Sequence, residues 1–183
     1  TRIGNQLPLV YLLDRKPDEA LQTLRLTDAP DLPPDLAAQR LHLRAKALTA
    51  KGDGPAALAV LKDDKSLDSE LLKAEVYWEA QDWERTVQGL QRVLREAKAE
   101  PRRPLTKAQA GYVFNLAVAL TLAGNERGVA RLRAEYGEAM ARSELAQGFD
   151  LIAGQSALMG VGRADVSGEV KEVQGFQTFL SAY

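Results

Sequence analysis

An all-α fold is what this sequence predicts, and three features predict it: the choice of apolar residues, the turn punctuation, and a phrase that repeats. Of 183 residues, 28 are Leu and 28 are Ala, against 12 Val and 2 Ile. Leu and Ala are strong helix formers, and Ala lets helix axes approach closely; the β-branched residues that favour strands are scarce. Apolar residues make up 45% of the chain, the ordinary globular level, so it should bury a core rather than stay disordered. The length suits one sizeable core or a short run of stacked helical repeats.

The elements follow from their caps. Pro17 ahead of Asp18 and Glu19 puts a proline at a helix start with acids in the first turn, where they favour the helix dipole. Pro33 and Pro34 open a segment carrying Leu36, Leu41, Leu43 and Leu48, which stops at Gly52. Gly54 and Pro55 start another. Ser66 or Ser69 caps the segment with Leu71, Leu72, Val76 and Tyr77, and Asp82 caps one that aligns Val87, Leu90, Val93 and Leu94. Pro101 to Pro104 is a break, after which Thr106 and Gln109 form a capping box. That helix ends at Gly124, and Asn125 caps the next. Ser143 and Gly154 bracket a helix with Leu145, Phe149 and Ile152 aligned. Ser167 opens a last one, with Val170, Val173, Phe176, Leu180 and Tyr183 in one apolar stripe. About ten helices are expected, and no strand.

A helix–turn–helix phrase recurs four times. Its turn reads Asp14-Arg-Lys-Pro-Asp-Glu-Ala-Leu21, then Ala50-Lys-Gly-Asp-Gly-Pro-Ala-Ala-Leu58. It returns as Ala80-Gln-Asp-Trp-Glu-Arg-Thr-Val87 and as Ala123-Gly-Asn-Glu-Arg-Gly-Val-Ala130. A small residue and then Tyr or Leu precede each turn: Pro8 and Tyr11, Ala45 and Leu48, Ala74 and Tyr77, Ala117 and Leu120. After the turns come Ala20, Ala57, Thr86 and Val129, spaced by 37, 29 and 43 residues. The pattern resembles a degenerate form of the tetratricopeptide repeat, over roughly residues 1–138. The resemblance implies a right-handed α-solenoid of about four helix–turn–helix repeats, with residues 139–183 as C-terminal capping helices on the last repeat, in one continuous domain. Pro8 inside the first helix implies that this helix starts there or is frayed.

Charge and chemistry point away from catalysis. The chain has 24 basic and 25 acidic residues, net −1, which offers no general attraction to nucleic acid or an anionic membrane. No run of about 18 apolar residues is present to span a bilayer. Without cysteine there is no disulfide framework, thiolate nucleophile or zinc–thiolate site. His42, the one histidine, reads as a groove-facing or exposed polar residue rather than a base or metal ligand. Gly160 and Gly162, before Asp165, imitate a dinucleotide loop, but no strand precedes them, so they read as a connector. Asp63 with Asp64, and Glu75 with Glu79 at i, i+4, could be written as acid/base dyads; solvated helix faces carry such pairs routinely. Arg102, Arg103 and Lys107 read as a solvated loop. The sequence therefore predicts a non-enzyme with no cofactor and no metal.

In the repeat family that the chain resembles, the first helices line a groove where partners lie. Carried over place by place, that groove would be Asn5 and Leu9, then His42, Lys46 and Thr49, then Glu75, Trp78 and Glu79, and finally Phe114, Val118 and Thr121. Trp78 is the strongest candidate, since Trp is enriched at binding hot spots. Trp83, at the aromatic place of the turn, reads as structural. The expected function is a protein-binding scaffold or adaptor that holds a partner's peptide or helix, with homo-oligomerisation open. The alternative is a regulatory or structural domain of a larger protein, bacterial and envelope-associated on its Ala/Leu/Arg-rich composition, in the cytoplasm or periplasm. Thr1 is not an initiator Met, which favours a trimmed or processed chain.

Overall fold

A computed structural model describes residues 2–29 and 31–155. Its described residues form nine helices: α1 (Arg2–Leu13), α2 (Pro17–Leu26), α3 (Pro34–Ala50), α4 (Gly54–Val60), α5 (Leu67–Glu79), α6 (Trp83–Glu96), α7 (Lys107–Leu122), α8 (Glu126–Met140) and α9 (Ala146–Gln155). No strand occurs among them. The protein is all-α. The expected helix after Ser167, with its apolar stripe, and the connector around Gly160 lie outside the described residues.

The helix starts are made by the residues that the sequence marks. Ser66 accepts from the Ser69 N–H at 3.3 Å, Asp53 from Ala56 at 3.1 Å, and Asn125 from Gly128 at 2.9 Å. Thr106 and Gln109 complete their capping box at 2.9 and 3.2 Å. Each such bond satisfies a backbone donor that the first helical turn leaves without a partner. Pro8 departs from expectation: α1 begins at Arg2 and runs through it. The ring is fully buried, so packing offsets the hydrogen bond that a proline nitrogen cannot donate.

Five helix ends close alike, one after α6 at Lys98 (50°), where the Ala99 N–H reaches the Leu94 carbonyl at 3.0 Å, and four at turns that lead into a further helix. After α1, α3, α5 and α7 the chain passes through a positive φ, at Arg15 (56°), Gly52 (85°), Gln81 (55°) and Gly124 (67°). The next N–H reaches back five residues: Lys16 to the Tyr11 carbonyl at 2.8 Å, and Asp53 to Leu48, Asp82 to Tyr77 and Asn125 to Leu120, each at 2.9 Å. This is the Schellman closure, which satisfies carbonyls that a helix end leaves open. Four residues further on, the N–H groups of Ala20, Ala57, Thr86 and Val129 return to the carbonyls of Lys16, Asp53, Asp82 and Asn125 at 3.2, 3.0, 2.9 and 3.0 Å. The eight repeat positions (Pro8, Ala45, Ala74 and Ala117 before the turns; Ala20, Ala57, Thr86 and Val129 after them) are each less than 2% exposed.

The chain divides into two compact units, Thr1–Val93 and Leu94–Tyr183. Within the first, α1 packs on α2 and α3, α2 on α3, α3 on α4 and α5, and α4 on α5. Ala45, Leu61 and Leu72 form a buried cluster there, with Leu41 and Val60 against it. Two buried charges hold helices together. Arg40 of α3 donates to Asn5 Oδ1 (3.2 Å), to Thr27 Oγ1 (3.0 Å) and to the Leu24 carbonyl, joining three helices. Glu70 of α5 takes Lys73 at 2.9 Å and Arg92 of α6 at 2.7 Å.

In the second unit α7, α8 and α9 pack on one another. Every residue of α7 from Tyr112 to Leu120 is buried, because α8 and α9 both lie on it. Phe114 sits over Gly148 of α9, where an added Cβ would come within 3.0 Å of the ring. Phe149 is 1% exposed. The Tyr136 hydroxyl donates to the Ala99 carbonyl at 3.0 Å and Gln109 to that of Ala97 at 2.8 Å, tying down the connection before α7.

Candidate functional site

The first helices α3 and α5 pack directly against each other, so their uncommitted faces adjoin. On α5 the committed faces are clear. Leu72 belongs to the buried cluster, Ala74 meets α6 at Gly89, and Val76 meets α4 at Gly54. That leaves Leu71, Glu75, Trp78 and Glu79 on the open side, partly buried apart from the exposed Glu79. On α3, His42, Lys46 and Thr49 are all partly buried, and the Lys46 charge acts on Glu75. Six of the eleven groove candidates therefore lie on these two packed helices.

The chemistry of this face is mixed. Trp78 packs edge-to-face with Trp83, the ring centroids 5.5 Å apart, so the turn aromatic braces the candidate anchor. Arg85 lies over the Tyr77 ring at 5.9 Å. Thr49 bonds back to the Ala45 carbonyl at 3.0 Å, as Thr121 does to Ala117 at 2.9 Å. Burial pushes the Glu75 carboxyl up to about 7; Lys46 opposes the rise and the Glu79 carboxylate adds to it.

His42 is less free than the sequence implies. Its Nε2 lies 3.1 Å from Asp64 Oδ2 and 3.0 Å from Ser69 Oγ, and the Ser69 hydroxyl donates to the same Asp64 oxygen at 2.8 Å. Ser69 is fully buried, so this triangle locks the α4–α5 connection to α3 and presents no accessible nucleophile. Sequence reading weighs Asp64 only beside Asp63, as a dyad on a solvated face; nothing in its spacing points to His42, 22 positions away. Arg40 and Glu70 were equally invisible as buried charges.

Three candidates are in the interior instead. Asn5 is 8% exposed and serves Arg40; Phe114 and Val118 are 7% and 3% exposed inside the second unit. Phe114 and Val118 pack because α8 and α9 both lie on α7, and Asn5, on α1, is held by Arg40. Leu9 is exposed on α1, beside Leu7, Val10 and Leu13, and Thr121 is partly buried at the end of α7. Among the described residues no group of three or more His, Asp or Glu could hold a metal ion, and no helix is long and apolar enough to cross a membrane. Compared with protein-family models, curated proteins and solved structures, the chain finds no match.

Proposed function

We propose that the chain is a tetratricopeptide-like right-handed solenoid of about four hairpins that acts as a non-catalytic scaffold, holding a peptide or helix of another protein. The observation that carries this reading is the four-fold recurrence of one turn with the same bonds and the same buried residues on either side. A hairpin whose two faces are both apolar finds burial by stacking on its neighbours, which is the logic of repeat architectures. The packing of α1 on α3 and of α3 on α5 is the arrangement that such stacking requires. It leaves the first-helix faces to form the binding surface, and His42, Lys46, Thr49, Glu75, Trp78 and Glu79 are its centre.

A photoreactive amino acid tests the assignment. Placed at Thr49 or Glu79 in the cell of origin, it should trap one discrete partner. Placed at Gln88 or Gln91, exposed on α6, it should not. Trp78→Ala should weaken capture of that partner by about 2 kcal/mol or more. Equal trapping from both sets of positions would overturn the proposal.

A further inference from the structure

The exposed apolar surface of this chain is concentrated on its first helix. Of the six large apolar residues that stand exposed among the described residues, four belong to α1: Leu7 (44%), Leu9 (46%), Val10 (56%) and Leu13 (71%). Leu7, Val10 and Leu13 follow one another at three-residue steps, and Leu9 lies one turn before Leu13, so the four share a side of the helix. Pro8 and Asn5, both buried, mark the opposite side, from which Asn5 reaches the Leu36 carbonyl and Gln39 of α3 at 3.3 Å. Gln6 is the one polar residue exposed within the patch, and no charged residue occurs between Arg2 and Asp14. A helix side that simply faces water looks different: the exposed positions of α6 are Glu84, Arg85, Gln88, Gln91, Arg95 and Glu96. Clustered Leu and Val without charge is the composition of an interface core.

We propose that this side of α1 docks on α1 of a second copy of the chain, the two helices running antiparallel about a two-fold axis beside Val10. The stripe reads the same in both directions, Leu7-x-x-Val10-x-x-Leu13. Antiparallel pairing therefore sets Val10 against its own counterpart and brings each Leu7 level with the partner's Leu13, the reciprocity that a two-fold contact requires. It also opposes the two helix dipoles. Because the side carries no charge, it meets itself without like-charge repulsion and offers a charged partner nothing to pair with. The whole chain, at net −1, adds no long-range repulsion between copies. The size agrees. The four side chains leave on the order of 400 Å² of apolar surface in water per chain, a patch large enough to mark an interaction site. Two such sides, with Gln6 and the edge of Tyr11 closing around them, reach the roughly 1,000 Å² that a specific interface needs. The proposal does not depend on the scaffold reading.

The absence of cysteine makes the pairing directly readable, since one introduced thiol per chain is the only one present. With diamide as oxidant, Val10→Cys should form a disulfide-linked dimer, and Leu151→Cys, at the exposed apolar position of α9, should not. Leu7→Cys mixed with Leu13→Cys should link faster than either alone, because like residues stand about 9 Å apart along the pair at roughly 1.5 Å per residue. Sedimentation equilibrium should give a dimer for the intact chain at micromolar concentration. The double variant Val10→Glu, Leu13→Glu should be a monomer with the same helix content by circular dichroism, since both side chains already stand in water. An intact chain that stays monomeric, leaving this side to a helix of another protein, would overturn the proposal. So would a dimer that persists in the double variant, or one that links as readily through Leu151→Cys as through Val10→Cys.

Discussion

Gly89 of α6 lies against Ala74 of α5 so closely that a Cβ added at Gly89 would stand 3.2 Å from the Cβ and 3.3 Å from the Cα of Ala74. Both are fixed parts of a helix, so neither side can swing away. Gly89→Ala would ordinarily favour a helix by about 1 kcal/mol. Here overpacking, at about 1–3 kcal/mol, should win. We expect Gly89→Ala to lower the urea midpoint and Gly89→Val to lower it further. A rise in the midpoint for Gly89→Ala would mean that α5 and α6 can separate at little cost.

The Schellman turns at Gly52, Gly124, Arg15 and Gln81 predict a loss where glycine is removed and a gain where it is introduced. At Gly52 and Gly124 a change to Ala forces a Cβ into the left-handed region and should cost about 1 kcal/mol. At Arg15 and Gln81 the strain is already present, so glycine should stabilise, by roughly 0.5–1 kcal/mol. Equilibrium urea unfolding of Gly52→Ala, Gly124→Ala, Arg15→Gly and Gln81→Gly checks the pair of signs. Four losses would show that the Arg15 and Gln81 side chains contribute contacts worth more than the strain.

These turns also show what the sequence makes legible. Gly52 and Gly124 announce their φ values, whereas Arg15 and Gln81 do so only through the phrase around them, since each precedes its buried Ala or Thr by the same five residues. Repetition carried the helix ends where composition did not. Reading a face from one helix's pattern gives partly buried or exposed candidates on α3 and α5. It failed at Phe114 and Val118, because a pattern on α7 alone does not reveal that α9 returns to cover it. Asn5 failed for another reason: its partner is Arg40, and a basic residue on an otherwise amphipathic helix gives no sign that it will be buried. The pairing of Asp64 with His42 was illegible as well, depending on how a connecting loop settles against a neighbouring helix.

Acid should unfold the first unit through two carboxylates that behave opposite to Glu75. Burial alone would raise Asp64. The Ser66 N–H, the Ser69 and Ser66 hydroxyls and His42 outweigh it and hold the group well below its ordinary 3.8. Burial would likewise raise Glu70, and Arg92 and Lys73 bring it below 4.5. A depressed folded value contributes stability that is fully present above the unfolded value and is lost as pH falls through the folded one. Glu75, raised to about 7 when folded, instead contributes stability that is fully present below 4.5 and lost as pH rises to about 7. The acid limb governed by these two groups therefore begins below 3.8 for Asp64 and below 4.5 for Glu70, just where the opposing influence of Glu75 ends. Thermal stability should then peak near pH 5, falling on the acid side through Asp64 and Glu70 and toward neutrality through Glu75. Asp64→Asn and Glu70→Gln should each lose about 2 kcal/mol at pH 7, since each gives up charge-assisted bonds while keeping its shape. Both should also flatten the acid limb, leaving the fall between pH 5 and pH 7 in place. Glu70→Ala should lose more, about 3–5 kcal/mol, because it removes the counter-charge of the Lys73 ammonium, whose side chain is only 12% exposed and which then keeps only the Asp64 carbonyl. An acid limb unchanged in both Asp64→Asn and Glu70→Gln would show that unfolding in acid is driven by carboxylates elsewhere on the surface.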